Sequence, residues 1–126
     1  MNPAKLIGLP YRLGANPADH GAADCLSLCR SVLEFYGIDT PEPKRSWYRR
    51  LKRGDTDVFA EELAAWGQRT VTPRIGVVGL CLSDNGAKGM AVFWENGWLA
   101  FVGKAVKWCP IGALQIDALY CPQSKT

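Results

Sequence analysis

Cys25 is the residue whose position in this chain best suits nucleophilic chemistry. It follows Asp24, a residue type that favours the N-cap, so Cys25 is predicted to lie in the first turn of a helix. A thiol there lies near the positive end of the helix dipole and near unpaired backbone N–H groups, which favour the thiolate. The same N–H groups can hold a developing oxyanion. A buried structural cysteine at a helix start is the alternative interpretation.

A cysteine nucleophile also needs a general base, and the chain has a single histidine, His20, five residues before Cys25. His20 lies in a segment that is rich in glycine and alanine. To act as a relocated base, it would have to fold back onto the thiol and find an orienting partner such as Asp19. A solvated loop histidine is the alternative, and the sequence leaves both open.

Five cysteines are present, and we expect them to be reduced, because no signal peptide is recognised and cytosolic thiols seldom pair. Cys25 and Cys29 are one helical turn apart, which is how a metal site can begin. A four-cysteine zinc or iron–sulfur site is therefore an alternative, although no C-x-x-C motif is present. We expect no metal and no cofactor. The cysteines are Cys25, Cys29, Cys81, Cys109 and Cys121.

Three stretches of the first 41 residues form a larger pattern: LIGLPYRLGA, HGAADCLSLCR and VLEFYGIDTP. In this order they resemble the N-terminal half of the NlpC family of papain-like cell-wall cysteine peptidases and amidases. In that family a short helix leads to G-x-P-Y-x-x-G-G, then a loop leads to D-C-S/L-G-L on a helix, and an aromatic-Gly-Ile and a proline follow. The matching positions are Gly8, Pro10, Tyr11, Gly14, Asp24, Cys25, Leu28, Tyr36, Gly37, Ile38 and Pro41.

The resemblance implies a papain-like fold in which Cys25 attacks an amide of peptidoglycan stem peptides. It also implies that Tyr11 orients the substrate near the oxyanion site. Two features make the chain most similar to the compact peptidase-like proteins of phage or gene-transfer-agent tail tips. They are the long loop before Cys25 and a basic-aromatic insert after Pro41, residues 44–53.

The second half departs from the family pattern. The family strand H-V-G/A-I/V-Y-L-G-D/N-G aligns with GMAVFWENG at residues 89–97, which puts Gly89 where the histidine belongs. The residue that would orient this histidine lies on the next strand, where this chain has Phe101. The G-D segment that opens the first core strand is replaced by residues 75–77. Two of the three triad positions therefore lack their catalytic residue.

We accordingly expect a degenerate catalytic site in a structural or cell-wall-contacting component of a phage tail tip or baseplate. The alternative is an active endopeptidase or amidase that uses Cys25 with His20 or with a base from a neighbouring subunit. The expected partners are other tail proteins and peptidoglycan, with no nucleic acid and no membrane span. The expected location is the virion tail, after synthesis in the host cytoplasm.

The composition fits one ordinary globular domain, residues 1–126, with 48% apolar and 21% charged residues. A net charge of +3 is too small to indicate a nucleic-acid binder. Apolar periodicity predicts helices over 3–9, 24–36 and from Asp55 or Asp57 to Gly67. Residues 11–23 are predicted as loop and 39–54 as a Pro-rich, then basic, connection.

After residue 69 the pattern is typical of strands, at Val71, 75–82, 90–94, 98–102, 105–109 and 118–121. Asn96-Gly97 predicts a hairpin with a type I′ turn. Helices followed by such a series indicate an α+β fold in which the N-terminal helices pack on a C-terminal antiparallel sheet.

The basic-aromatic insert, residues 44–53, reads KRSWYRRLKR and contains six cations and no acid. One interpretation is a solvated helix or loop face whose aromatic residues dock on the core. The other is a surface that binds an anionic partner. We expect it to face an acidic patch of a neighbouring tail protein rather than nucleic acid.

Overall fold

The computed structural model describes residues 2–83 and 86–122, and in these ranges four helices and a six-stranded sheet form one α+β unit. A 3-10 turn over Pro3–Leu6 precedes helices α1 (Pro17–His20), α2 (Cys25–Phe35), α3 (Arg45–Lys52) and α4 (Asp57–Trp66). The strands are β1 (Gly67–Thr70), β2 (Val78–Leu82), β3 (Lys88–Trp94), β4 (Gly97–Val102), β5 (Ala105–Pro110) and β6 (Ile116–Pro122). The α+β class predicted from the sequence is confirmed.

All strand pairs are antiparallel, in the order β1-β6-β2-β3-β4-β5. The C-terminal strand β6 therefore lies between β1 and β2. Helix α2 packs on β3, and α4 packs on β3 and β6. Leu28 and Val32 of α2 share one core cluster with Met90 and Val92 of β3. The predicted packing of the N-terminal helices on the antiparallel sheet is confirmed for the helix that begins with Cys25.

Helix α2 begins and ends as the sequence predicts. Asp24 is its N-cap, and a carboxylate oxygen of Asp24 accepts from Ser27 N at 2.8 Å. The Ser27 hydroxyl in turn accepts from Asp24 N at 3.0 Å, which completes a reciprocal capping box. Gly37, with φ 75°, follows the C-cap Tyr36. These signals are local in the sequence, and they set the two ends of the helix that carries Cys25.

The β3–β4 hairpin forms, but its turn lies one residue earlier than predicted. Glu95 and Asn96 both have positive φ, 50° and 58°, as the two central residues of a type I′ turn do. Gly97 is already paired with Trp94, as the first residue of β4. Asn96 therefore takes the second central position instead of the first, and Glu95 accepts a left-handed conformation that is uncommon for its type.

Other predicted boundaries were wrong. The helix over 3–9 is only a 3-10 turn over Pro3–Leu6, because the chain is extended at Ile7 and left-handed at Gly8. The predicted loop over 11–23 contains α1, which Asn16 caps and Gly21 ends with φ 62°. The connection over 39–54 contains α3.

The first and last predicted strands also changed. Val71 lies outside the strands and is 92% exposed, while β1 directly precedes it. The strand predicted over 75–82 begins only at Val78, and the last strand extends over Ile116–Pro122. In the part of the chain that the structure describes, none of the helices has the length and apolar character needed to cross a bilayer.

Candidate functional site

Cys25 lies in a groove of about 760 Å³ where the first turn of α2 meets the sheet. The walls come from the end of β2, the beginning of β3, the end of β4 and the segment after β5. The residues that line the groove include Cys25, Cys81, Lys88, Gly89, Met90 and Phe101.

Gly89 lies directly against the Cys25 thiol. A Cβ atom added at Gly89 would lie 3.9 Å from Cys25 Sγ, and no other atom of the described neighbours would be closer. This is an ordinary van der Waals distance, so the backbone leaves room for a side chain that would reach the thiol. The position that the sequence aligns with the family histidine is therefore next to Cys25, and it carries no side chain.

The Cys25 thiol is held in its neutral form, contrary to the thiolate expected at a helix start. Burial, with a smaller contribution from the nearby Asp24 carboxylate, raises its pKa to about 11. Backbone N–H groups of Met90 and Cys25 act in the opposite direction but do not offset the burial. The residue is partly exposed to the groove. Desolvation by burial therefore outweighs the stabilisation of the thiolate by backbone N–H groups that the position at the helix start predicts.

Phe101, on β4, occupies the position predicted for the residue that would orient a histidine. Its ring packs edge-to-face on Tyr11, with the centroids 5.1 Å apart and the planes at 90°. An aromatic hydrocarbon cannot accept a hydrogen bond from an imidazole in the way a carboxylate or amide does. Phe101 therefore forms an apolar wall of the groove.

Tyr11 lies beside the groove, where the sequence resemblance places it. Its side chain is 45% exposed, and its ring contacts Phe101. Burial of the hydroxyl, together with nearby Cys25 and Asp24, raises the Tyr11 pKa to about 12. A neutral phenol at this place is available as a hydrogen-bond donor to a ligand in the groove.

His20 lies at the exposed end of α1 and does not line the groove. Its Nδ1 accepts a hydrogen bond from Asn16 N at 3.0 Å. The carboxylate of Asp19, the partner considered for it, accepts from the Asn16 side-chain amide at 3.0 Å instead. The structure thus ties both side chains into the turn of α1, and it does not bring His20 together with Cys25.

Cys81 is a groove residue that the sequence interpretation did not single out. It is the direct cross-strand partner of Gly89, and burial together with the nearby Cys25 raises its pKa to about 12. The signal was present in the sequence as an antiparallel pair of strands over 78–82 and 88–92. Recognising it required the register of β2 on β3, which the predicted strand boundaries did not give.

Lys88 holds the beginning of β3 against α4. Its backbone N–H donates to Thr56 Oγ1 at 2.8 Å, and its ammonium group pairs with Asp57. These contacts fix the strand residue next to Gly89, and so help to set the distance between Gly89 and Cys25.

Among residues 2–83 and 86–122, no group of three or more Cys, His, Asp or Glu side chains is arranged to hold a metal ion. No model of a known family matches this chain, and no curated protein matches it. The site itself combines a neutral thiol, a phenol and apolar walls. Such a site can bind a ligand, but no histidine or carboxylate side chain lines the described part of the groove.

Proposed function

We propose that the chain is an NlpC-like protein with a degenerate catalytic site, and that it is a structural or cell-wall-contacting component of a phage tail tip or baseplate. The papain-like assignment is supported by the matching N-terminal motif and by a helix that begins with Cys25 and packs on the sheet. The tail-tip assignment is supported by the resemblance of the compact arrangement alone.

The observation that carries the proposal is the glycine opposite the thiol. Gly89 has room for a Cβ at 3.9 Å from Cys25 Sγ, so the fold accommodates a side chain there and this chain has none. With the Cys25 pKa at about 11, only about one thiol in ten thousand is ionised at pH 7. Removing the base of a nucleophile–base pair typically costs several orders of magnitude in rate. In this proposal the Cys25 thiol is therefore a poor nucleophile, and hydrolysis by the chain alone is slow.

The groove keeps features that suit binding. It is mostly apolar, it has a volume of about 760 Å³, and Tyr11 contributes a phenol at its edge. In this proposal the groove contacts a cell-wall peptide or a segment of a neighbouring tail protein without cleaving it.

The test of the degenerate site is a hydrolysis assay on purified peptidoglycan and on its soluble stem-peptide fragments. We expect the release of new amino groups by the wild-type protein to equal that of C25S. A peptidase of known activity, added to the same substrate, shows that the bonds are cleavable. Turnover that disappears in C25S would establish the active peptidase or amidase instead, and H20A would then show whether His20 is its base.

The location is tested separately by immunogold labelling of purified virions or tail particles from the source of the chain. We expect label at the tail tip. Particles that lack the protein would refute the tail assignment, and they would leave the result of the hydrolysis assay unaffected.

A further inference from the structure

We propose that the outward face of α3 binds an acidic surface of a partner protein. This face is formed by Arg45, Arg49, Lys52 and Arg53, here called the basic stripe. All four residues are exposed. The inference concerns a helix outside the groove, and it stands or fails independently of the function proposed above.

Helix α3 has two faces with different roles. Trp47 is buried at 3% exposure, and Tyr48 and Leu51 pack partly against the same core. These residues attach the helix to the protein. The basic stripe lies on the other side, and with a rise of 1.5 Å per residue it extends over about 12 Å.

Arg50 of α3 forms ion pairs with carboxylates, whereas the residues of the basic stripe form none among the described residues. Arg50 pairs with Asp55, with 2.8 Å between Nε and Oδ2, and also with Glu61. Across residues 2–83 and 86–122, by contrast, no carboxylate forms an ion pair with any residue of the basic stripe. The chain therefore pairs Arg50 with two carboxylates, and among the described residues it gives the four charges of the basic stripe no such partner.

The stripe does not serve the stability of its own helix. Arg45 and Arg49 are four residues apart, as are Arg49 and Arg53, and like charges at this spacing repel. The first turn has no acidic residue, the N-cap Lys44 makes no side-chain cap, and Arg45 lies at the positive end of the dipole. Cations in the last turn do suit the dipole, but this does not explain Arg45. An acidic partner relieves all of these repulsions at once.

The geometry favours a protein partner over a polyanion such as nucleic acid. Trp47 is buried and Tyr48 packs partly against the core, so the stripe carries no fully exposed aromatic ring on which bases can stack. Carboxylates of Asp55, Asp57 and Glu61 are partly or largely exposed just beyond the C-terminal end of α3. Arg50 and Lys88 already pair with these carboxylates, so a long polyanion that continued past the stripe would find no unpaired cation there. Guanidinium groups also pair with carboxylates through two parallel hydrogen bonds.

A synthetic helical peptide is the probe. It is alanine-rich and carries Glu at positions i, i+4, i+7 and i+8, the spacing of the basic stripe, and a matched peptide carries Gln instead. Binding of each to the whole protein is measured by fluorescence anisotropy at low ionic strength. We expect the Glu peptide to bind, the Gln peptide not to bind, and the affinity to fall as salt is raised.

Charge variants locate the binding. In R45E/R49E/R53E we expect the affinity to fall at least about tenfold, because like charges then face each other. The control is K5E/K104E/K107E, which changes the net charge equally at exposed lysines away from α3 and is expected to bind within about twofold of the wild type. Circular dichroism checks that each variant is folded, and the neutral R45Q/R49Q/R53Q gives a second, milder loss.

Three results would overturn the inference. The wild-type protein would fail to bind the Glu peptide, or both triple variants would lose affinity equally, which would show an effect of net charge alone. The third result is a short DNA duplex that binds the wild type more tightly than the Glu peptide at the same ionic strength.

Discussion

Gly89 and Gly97 lie on the two strands of one hairpin, and they are glycines for opposite reasons. A Cβ on Gly97 would lie 2.7 Å from ring atoms of Trp108 and closer still to the carbonyl oxygen of Cys109. A Cβ on Gly89 would meet only Cys25 Sγ, at 3.9 Å. The packing of β4 on β5 requires a glycine at 97, whereas no contact of the described chain requires one at 89.

The difference between the two glycines shows why the groove lacks a side chain at position 89. Trp108 covers Gly97, and its indole N–H donates to Trp94 O at 3.0 Å, so the hairpin is closed over the glycine. Among the described residues outside its own chain neighbours, only the Cys25 thiol lies within 4 Å of a Cβ added at Gly89. The missing side chain at 89 is therefore a feature of the site chemistry, and the missing side chain at 97 is a feature of the fold.

The largest effect is expected for G97A. The new methyl group would have to displace the Trp108 ring and the backbone of β5, and overpacking of this kind costs about 3 kcal/mol of the free energy of unfolding. Urea unfolding followed by tryptophan fluorescence measures it. A loss smaller than about 1 kcal/mol would show that β4 and β5 can separate, and the contrast between the two glycines would then disappear.

G89H should restore a partner for the thiol. An imidazole beside Cys25 favours the thiolate, so we expect the pKa of Cys25 to fall from about 11 by at least about one unit. The measurement is the rate of iodoacetamide labelling of Cys25 against pH, followed at the level of the Cys25 peptide by mass spectrometry. At pH 7.5 the labelling should be at least about tenfold faster than in the wild type. G89H/F101H extends the test to the orienting position.

G89N is the matched control, because its side chain has a similar size and no titratable group. We expect its labelling profile to stay near that of the wild type. Equal acceleration in G89N and G89H would mean that the substitution opens the groove rather than supplying a base. An unchanged Cys25 profile in folded G89H would show that position 89 does not reach the thiol.

The parts of the fold that were predictable from the sequence are those with local causes. Asp24 caps the beginning of α2, and Gly37 follows its end in a left-handed conformation. Asn96 is a residue type that accepts the positive φ of the β3–β4 turn. Strand β1 was missed because it exists only by pairing with β6, about fifty residues away. The sequence could not decide between helix and loop for α3, because this helix lacks a cap and the burial of Trp47 against distant residues holds it in place.

The candidate site divides in the same way. The place of Gly89 beside the thiol was predicted only through the resemblance to the family strand, which aligns residue 89 with the family histidine. The raised pKa of Cys25 could not be predicted, since the desolvation comes from strands more than fifty residues further along the chain. The same holds for Cys81, whose place in the groove depends on the pairing of β2 with β3.

The smallest effect is expected for G89A, and it decides what the glycine means. The methyl group would make an ordinary contact with Cys25 Sγ, and Ala restricts the unfolded chain more than Gly does. We therefore expect the free energy of unfolding to rise by about 0.5 kcal/mol, measured by the same urea unfolding as for G97A. A loss of more than about 1 kcal/mol would mean that the strand itself needs a glycine at 89. The fold would then require a glycine at position 89, as it does at 97. The missing side chain would no longer support the loss of a catalytic base.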